Sequence, residues 1–149
     1  RVAIFLNNVA EMEYRLGRYD GAETLLNRAL AIWENAALGP DHPDVAITLN
    51  VLGEVHEAQG RLGDAESVHM RAIAIREKAL GPDHPAVATS LTGLASVRAR
   101  QDRHADAELL LARALEIQEK SLGRDHAETK ATRETLSALA KRRPRTGKT

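Results

Sequence analysis

The sequence predicts an all-α superhelix: a row of antiparallel helix pairs, about three full units, followed by one capping helix. Three observations carry that expectation. The segment Leu38-Gly39-Pro40-Asp41-His42-Pro43 returns as Leu80-Gly81-Pro82-Asp83-His84-Pro85 and, degraded, as Leu122-Gly123-Arg124-Asp125-His126-Ala127, each copy 42 residues after the last. A unit copied at a fixed interval of this size marks stacked supersecondary structure. Between the copies, apolar residues recur with the 3.6-residue period of a helix, and small residues stay in register at Ala22, Ala65 and Ala107 and at Ala29, Ala72 and Ala114. Alanines so placed let two helix backbones approach, and the aligned Leu6, Leu49 and Leu91 fill what remains.

The elements follow in order. Residues 2–16 carry Ile4, Phe5, Val9 and Met12 on one helical stripe until Gly17-Arg18 breaks it, which gives the first helix A. From Tyr19 the run Ala22, Leu25, Leu26, Ala29, Leu30, Ile32 and Trp33 resumes the period, with Asp20 and Glu23 near its start, where the helix dipole favours anions. That helix B ends at Gly39-Pro40, and Pro43 suits the first turn of the next helix, where its missing N–H would have had no partner. The second unit pairs residues 43–59 with 62–79, and the third pairs 85–101 with 104–121. A 17-residue helix is ~25 Å long, so each unit is a pair of rods joined by a short turn. The repeats thus fall at about 2–38, 43–80 and 85–122 within a 1–142 array. The last helix, 128–142, carries Thr129, Lys130, Thr132 and Arg133 where earlier A helices are more apolar, as a cap facing water would. Residues 143–149 read as a disordered basic tail. The first unit holds one residue more than the others, around Glu34 to Ala37, which predicts a bulge or looser turn there.

Composition narrows the function. Aromatic residues make up 3% of the chain against 43% hydrophobic, so the core must be aliphatic and alanine-based. With 21 basic and 21 acidic residues there is no global field to draw the chain to nucleic acid or an anionic membrane. The absence of cysteine excludes disulfides, thiolate catalysis and cysteine-ligated zinc, and suits a cytoplasmic protein. No apolar run approaches the ~20 residues of a membrane-spanning helix. The start at Arg1, directly on a periodic segment, suggests a piece of something longer.

Leu49-x-x-Leu52-Gly53 followed by Ala65 and Ala72 resembles the tetratricopeptide repeat. The 42-residue unit, with Leu6-Asn7-Asn8, Gly17-Arg18-Tyr19 and the Leu-Gly-Pro-Asp-His-Pro linkers, looks like the kinesin light chain subtype of that repeat. The match covers residues 2–140. It implies a right-handed superhelix whose A helices line a concave groove for an extended peptide or a partner's helix; it does not imply kinesin itself. His56 and His69 replace aromatic residues of the pattern, Arg98 replaces another, and Gly93 interrupts a helix, so looser packing is expected in the second and third units.

The groove face of helix A, read by spacing from the leucine seam, holds Asn7, Asn8, Glu11, Tyr14 and Arg15, then Asn50, Glu54 and Glu57, then Thr92, Ser96 and Arg100. The family's groove asparagines correspond to Asn7, Asn8 and Asn50. An asparagine amide donates and accepts at once, which suits an extended main chain, though it equally suits a tie between adjacent helices. Glu11, Glu13, Glu54 and Glu57 weight the first half of the groove acidic, and Arg98, Arg100, Arg103 and the tail weight the second half basic, which would orient a ligand. His42, His84 and His126 lie one unit apart on helices ~8 to 10 Å from their neighbours and cannot share a metal ion, so no metal and no cofactor is expected. They read instead as helix-start residues. Gly147-Lys148-Thr149 lacks the upstream glycine and the strand of a phosphate loop. No acid–base pair or nucleophile set stands in a plausible context, so no catalytic residue is assigned. The expected function is a non-catalytic scaffold binding a protein or peptide, with no nucleic acid and no membrane. The alternative is a regulatory or oligomerising arm of a larger signalling enzyme or transcription regulator, with the exposed end helices as a route to self-association.

Overall fold

The structure is a computed structural model that describes residues 1–142, and among them it contains seven α-helices and no strand. They are α1 (Val2–Arg15), α2 (Tyr19–Glu34), α3 (Pro43–Ala58), α4 (Leu62–Leu80), α5 (Pro85–Arg100), α6 (His104–Ser121) and α7 (Ala127–Arg142). The basic tail at 143–149 lies outside the described residues. No described helix is long and apolar enough to cross a membrane.

Each linker starts its helix by the same device. Pro43 and Pro85 occupy the first turns of α3 and α5, and the ring Nδ1 of His42 accepts the N–H of Asp44 at 3.2 Å while that of His84 accepts the N–H of Ala86 at 3.0 Å. His126 accepts from Glu128 N–H at 3.2 Å ahead of α7, with no proline present. The three punctuation histidines are therefore N-caps, satisfying donors that a helix start leaves orphaned. The turns inside the units are closed by Gly17 and Gly60 at φ +74° and +75°; the third unit uses Asp102 at +63°, the single non-glycine residue with positive φ among those described. Asparagine and aspartate tolerate this region better than other side chains. The extra residue of the first unit sits outside the helix: α2 stops at Glu34, and Asn35 Nδ2 donates back to Ala31 O at 2.9 Å.

Every helix packs against the one before and the one after it. Ala22, Ala65, Ala107, Ala29, Ala72 and Ala114 are fully buried, and Leu6, Leu49 and Leu91 nearly so. The A helices α1, α3 and α5 also approach one another, whereas no comparable approach links α2 to α4 or α4 to α6. The row therefore curves with its A helices inside, and a concave face results. On α7, Lys130 and Ser137 are exposed and Arg133 is half-buried at positions where α3 has Ala46, Gly53 and Leu49. Thr129 and Thr132, expected to face water, are buried instead. They stand one unit after Val87 and Ser90 on the face that meets the preceding helix B, so the packing seam continues through α7 with hydroxyls in it.

The second and third units are packed tightly at the point where loose packing was expected. His69 is 1% exposed, and its ring lies between Gly53 of α3 and Gly93 of α5. A Cβ at Gly93 would fall 2.6 Å from His69 Cε1, and one at Gly53 would come closer still. The departures compensate: the first unit has Leu26 over Ala10 and the third has Leu111 over Ala95, where the second has the flat ring over a glycine. Neither ring nitrogen of His69 has a hydrogen-bond partner. Burial, with the nearby Arg76 charge adding to it, lowers its pKa from 6.5 to about 4.

Two outcomes follow from this sandwich. Gly93→Ala, which in an ordinary helix would stabilise, is expected to destabilise by ~1 to 3 kcal/mol through overpacking. Urea unfolding of Gly93→Ala, His69→Ala and the double variant should show coupling between the two sites; additive effects would remove the close contact. Because His69 is held neutral, its contribution is complete above pH 6.5 and is lost as pH falls towards 4. About 3 kcal/mol of stability should go across that window, by the linkage between pKa shift and free energy. Parallel melts of His69→Gln from pH 7 to pH 4 check this, since that variant should lose less.

Candidate functional site

Successive A helices are tied by a repeated side-chain clasp. Asn7 Nδ2 donates to Thr48 Oγ1 at 2.8 Å, with a 3.0 Å contact from that hydroxyl back to Asn7 Oδ1. One unit on, Ser90 Oγ donates to Asn50 Oδ1 at 3.1 Å and accepts from Arg76 Nη1 at 2.9 Å; Arg76 also donates to Ala86 O at 2.7 Å. Asn50 is 8% exposed. Of the three asparagines, then, Asn7 and Asn50 hold helix to helix, and Asn8 alone stands exposed to solvent. The buried guanidinium of Arg76 has its pKa lowered by desolvation.

The carboxylates of the first half do come together. Glu54 has its pKa raised, first by the protein surrounding it and then by Glu11 and Glu57. Tyr14, whose ring centroid is 5.8 Å from that of Tyr19, is raised by burial and by the charges of Glu54 and Glu57. Like charges held this close to one another form a negative trough. Its second edge is closed by cross-helix contacts: Ser96 Oγ donates to Glu57 Oε1 at 2.6 Å and Arg100 Nη1 to Glu57 O at 2.5 Å. Arg15 pairs along α1 with Glu11 at 2.5 Å.

Three charges counted into the acidic-to-basic gradient of the groove have partners at a turn or on a helix B. Glu13 pairs with Arg18 at 3.3 Å, Arg98 with Glu66 of α4 at 2.8 Å, and Arg103 with Asp106 at 2.8 Å and Glu66 at 3.7 Å. The last two belong to a junction that recurs: Gln59 and Arg61 hold Glu23 at 3.0 and 2.7 Å as Gln101 holds Glu66 at 2.9 Å. Hydrogen bonds from Gln59 and Arg61 lower the Glu23 pKa. The residues that remain on the concave face keep the acidic first half but leave Arg100 as the surviving basic residue named for the second.

Thr92, Ser96 and Arg100 also line a cavity of about 790 Å³ between α5, α6 and α7. Its floor is apolar, with Leu111, Leu139 and Ala95 among its lining, and its walls carry Thr132, Thr135, Gln118 and His104, with Arg142 and Glu128 also lining it. Reading by spacing from helix A could not find the α6 and α7 residues, because they lie on other helices than the one being read. Among the described residues, no group of three histidine, aspartate or glutamate side chains converges as a metal site.

A curved row of helix hairpins with an open inner face is a helical-repeat protein. The model of the tetratricopeptide repeat family matches residues 1–78 and 53–120, and the chain belongs to that family. Its repeats are of the kinesin light chain-like kind. The chain superposes on BtubC (BKLC) from P. vanneervenii with a TM-score of 0.81 at 21% identity, covering 91% of this chain and 53% of that one. It superposes on a putative kinesin light chain of Podosopora anserina, with nearly identical TPR-like repeats, with a TM-score of 0.81 at 25% identity, covering 90% and 63%. The chain thus spans less than two thirds of the length of either protein. No curated protein sequence matches it. Tetratricopeptide repeats are generally protein–protein interaction modules, and proteins of this kind are typically non-catalytic.

Proposed function

We propose that this chain is a non-catalytic scaffold whose concave face binds a peptide or helix of another protein. The observation that carries this reading is the trough itself. Glu11, Tyr14, Glu54 and Glu57 are drawn together on successive A helices although burial, and then the charges of Glu11 and Glu57, raise the pKa of Glu54, and the trough runs on towards the cavity beyond Ser96. Arg15 and Arg100 pair with Glu11 and Glu57, but Glu54 has no basic partner among the described residues, and a ligand with basic residues would supply one. Asn8 is free to bond such a ligand's main chain. Peptides selected from a random display library on the immobilised chain should be rich in Lys and Arg, and their binding should weaken with salt. Glu11→Lys combined with Glu54→Lys should abolish that binding, with Arg28→Glu on the outer helix α2 as the control. Equal loss in both variants, or none in either, would count against the trough.

A second reading, an arm that pairs with another helical element, is favoured by α1. Val2, Phe5 and Met12 are 57%, 65% and 63% exposed. They occupy the register of Val45, Thr48 and Val55, which α3 buries completely against the preceding helix. Continuity of the seam therefore makes this face fit a helix B. Sedimentation should show self-association that Phe5→Glu abolishes if that helix comes from a second copy; a monomer at all concentrations would sink the self-pairing form of this reading.

A further inference from the structure

The clasp between A helices is missing at one junction. The position of Asn7 and Asn50 is taken by Thr92, and that of Thr48 and Ser90 by Thr132. Neither hydroxyl reaches across: Thr92 Oγ1 donates to Thr89 O at 2.8 Å and Thr132 Oγ1 to Glu128 O at 3.0 Å, each along its own helix. The residue in Arg76's place is Gln118, which is 4% exposed and lines the cavity, and no donor among the described residues reaches its Oε1. All three, Thr92, Thr132 and Gln118, border the same cavity of about 790 Å³.

We propose that this cavity is a subsite for a side-chain carboxamide, the asparagine or glutamine of a bound peptide, which supplies from outside the group that Asn7 and Asn50 supply from within. The inference rests on the reading of the concave face as a peptide-binding surface. The chemistry argues for an amide over its competitors. The two N–H donors of a carboxamide can meet the buried Gln118 oxygen and an open lone pair of a threonine hydroxyl whose own proton is already given along its helix, so it can satisfy both walls at once. A carboxylate has no donor and an aliphatic side chain has none either, so both would leave the Gln118 oxygen, already buried away from water, unpaired. Arg100, which also borders the cavity, already donates to Glu57 O and is not free to serve as a dedicated carboxylate clamp.

The test uses three small probes, N-acetyl-glutaminamide, N-acetyl-glutamic acid amide and N-acetyl-norleucinamide, titrated into the isotopically labelled chain. The glutamine probe should shift the backbone amide signals of Thr92, Gln118 and Thr132 and bind at least tenfold more tightly than the other two. Thr92→Asn should raise the melting temperature, since it restores the internal clasp, and weaken the glutamine probe at least tenfold. Gln118→Met, which keeps the volume but removes the acceptor, should erase the preference for glutamine over norleucine. Norleucine binding as well as glutamine in the unaltered chain, or Thr92→Asn leaving the glutamine probe unaffected, would overturn the proposal. If library peptides still bind the acidic trough of Thr92→Asn while no probe binds either chain, this subsite is lost and the wider groove reading stands. Probe binding that survives Glu11→Lys with Glu54→Lys supports the subsite even where trough peptides fail.

Discussion

Everything in this molecule depends on the contact between helix surfaces that the buried alanines permit. Ala22, Ala29, Ala65, Ala72, Ala107 and Ala114 have no exposed surface, and each lies where a helix B presses on its neighbours. A methyl group lets the backbones come close enough for leucine and valine to interlock around the contact, so dispersion and burial are gained without a large aromatic core. Because the same contact recurs at each junction, the whole is a sum of nearly independent steps rather than one core. Curvature is a by-product: A helices approach, B helices do not, and the concave face appears where they approach.

That face must then hold polar groups between helices that are close together, and the clasps are the answer. Asn7 with Thr48, and Asn50 with Ser90 and Arg76, convert side chains that could have faced a ligand into internal ties. A buried amide is costly unless its hydrogen bonds are met, so an asparagine at this depth is either a clasp or a liability. The carboxylates differ. Glu11 is paired by Arg15 along α1 and Glu57 by Ser96 and Arg100 from α5, whereas Glu54 between them has burial and its two acidic neighbours disfavouring its ionised form. Internal contacts therefore account for Asn7, Asn50, Glu11 and Glu57, but leave the Glu54 carboxylate unpaired among the described residues.

Helix existence and most boundaries were legible because they rest on local signals, period, glycine at the turn and proline after it, though α2 stops at Glu34 and not at Gly39-Pro40. The histidine caps were half-legible; position said helix start, and only coordinates show Nδ1 taking the N–H. What failed was any inference that treated one departure at a time. His69 and Gly93 each look like damage to a packing pattern, yet with Gly53 they make one close contact, a compensation visible in the sequence only by lining up Leu26 over Ala10 and Leu111 over Ala95 beside it. The charge gradient also counted Glu13, Arg98 and Arg103 into the groove, and each pairs at a turn or with the neighbouring helix. Long cationic side chains reach several ångströms from their Cβ, so helical position fixes where the stem starts and not where the charge ends.

A stack with only nearest-neighbour contacts has one further property. In a single-core domain, replacing an interior asparagine by threonine would be felt throughout; here, Thr92 alters the α5 to α7 junction and leaves the clasps at Asn7 and Asn50 intact. Each junction can therefore diverge on its own, trading internal satisfaction for an opening, at the expense of local stability only. The buried Gln118 oxygen is what such a trade leaves behind: a polar atom placed by the register of Arg76, in a position where the repeat no longer provides its partner. In this chain the junction that breaks the internal pattern holds the cavity and the unmet hydrogen bond, while the junctions that keep it hold the frame.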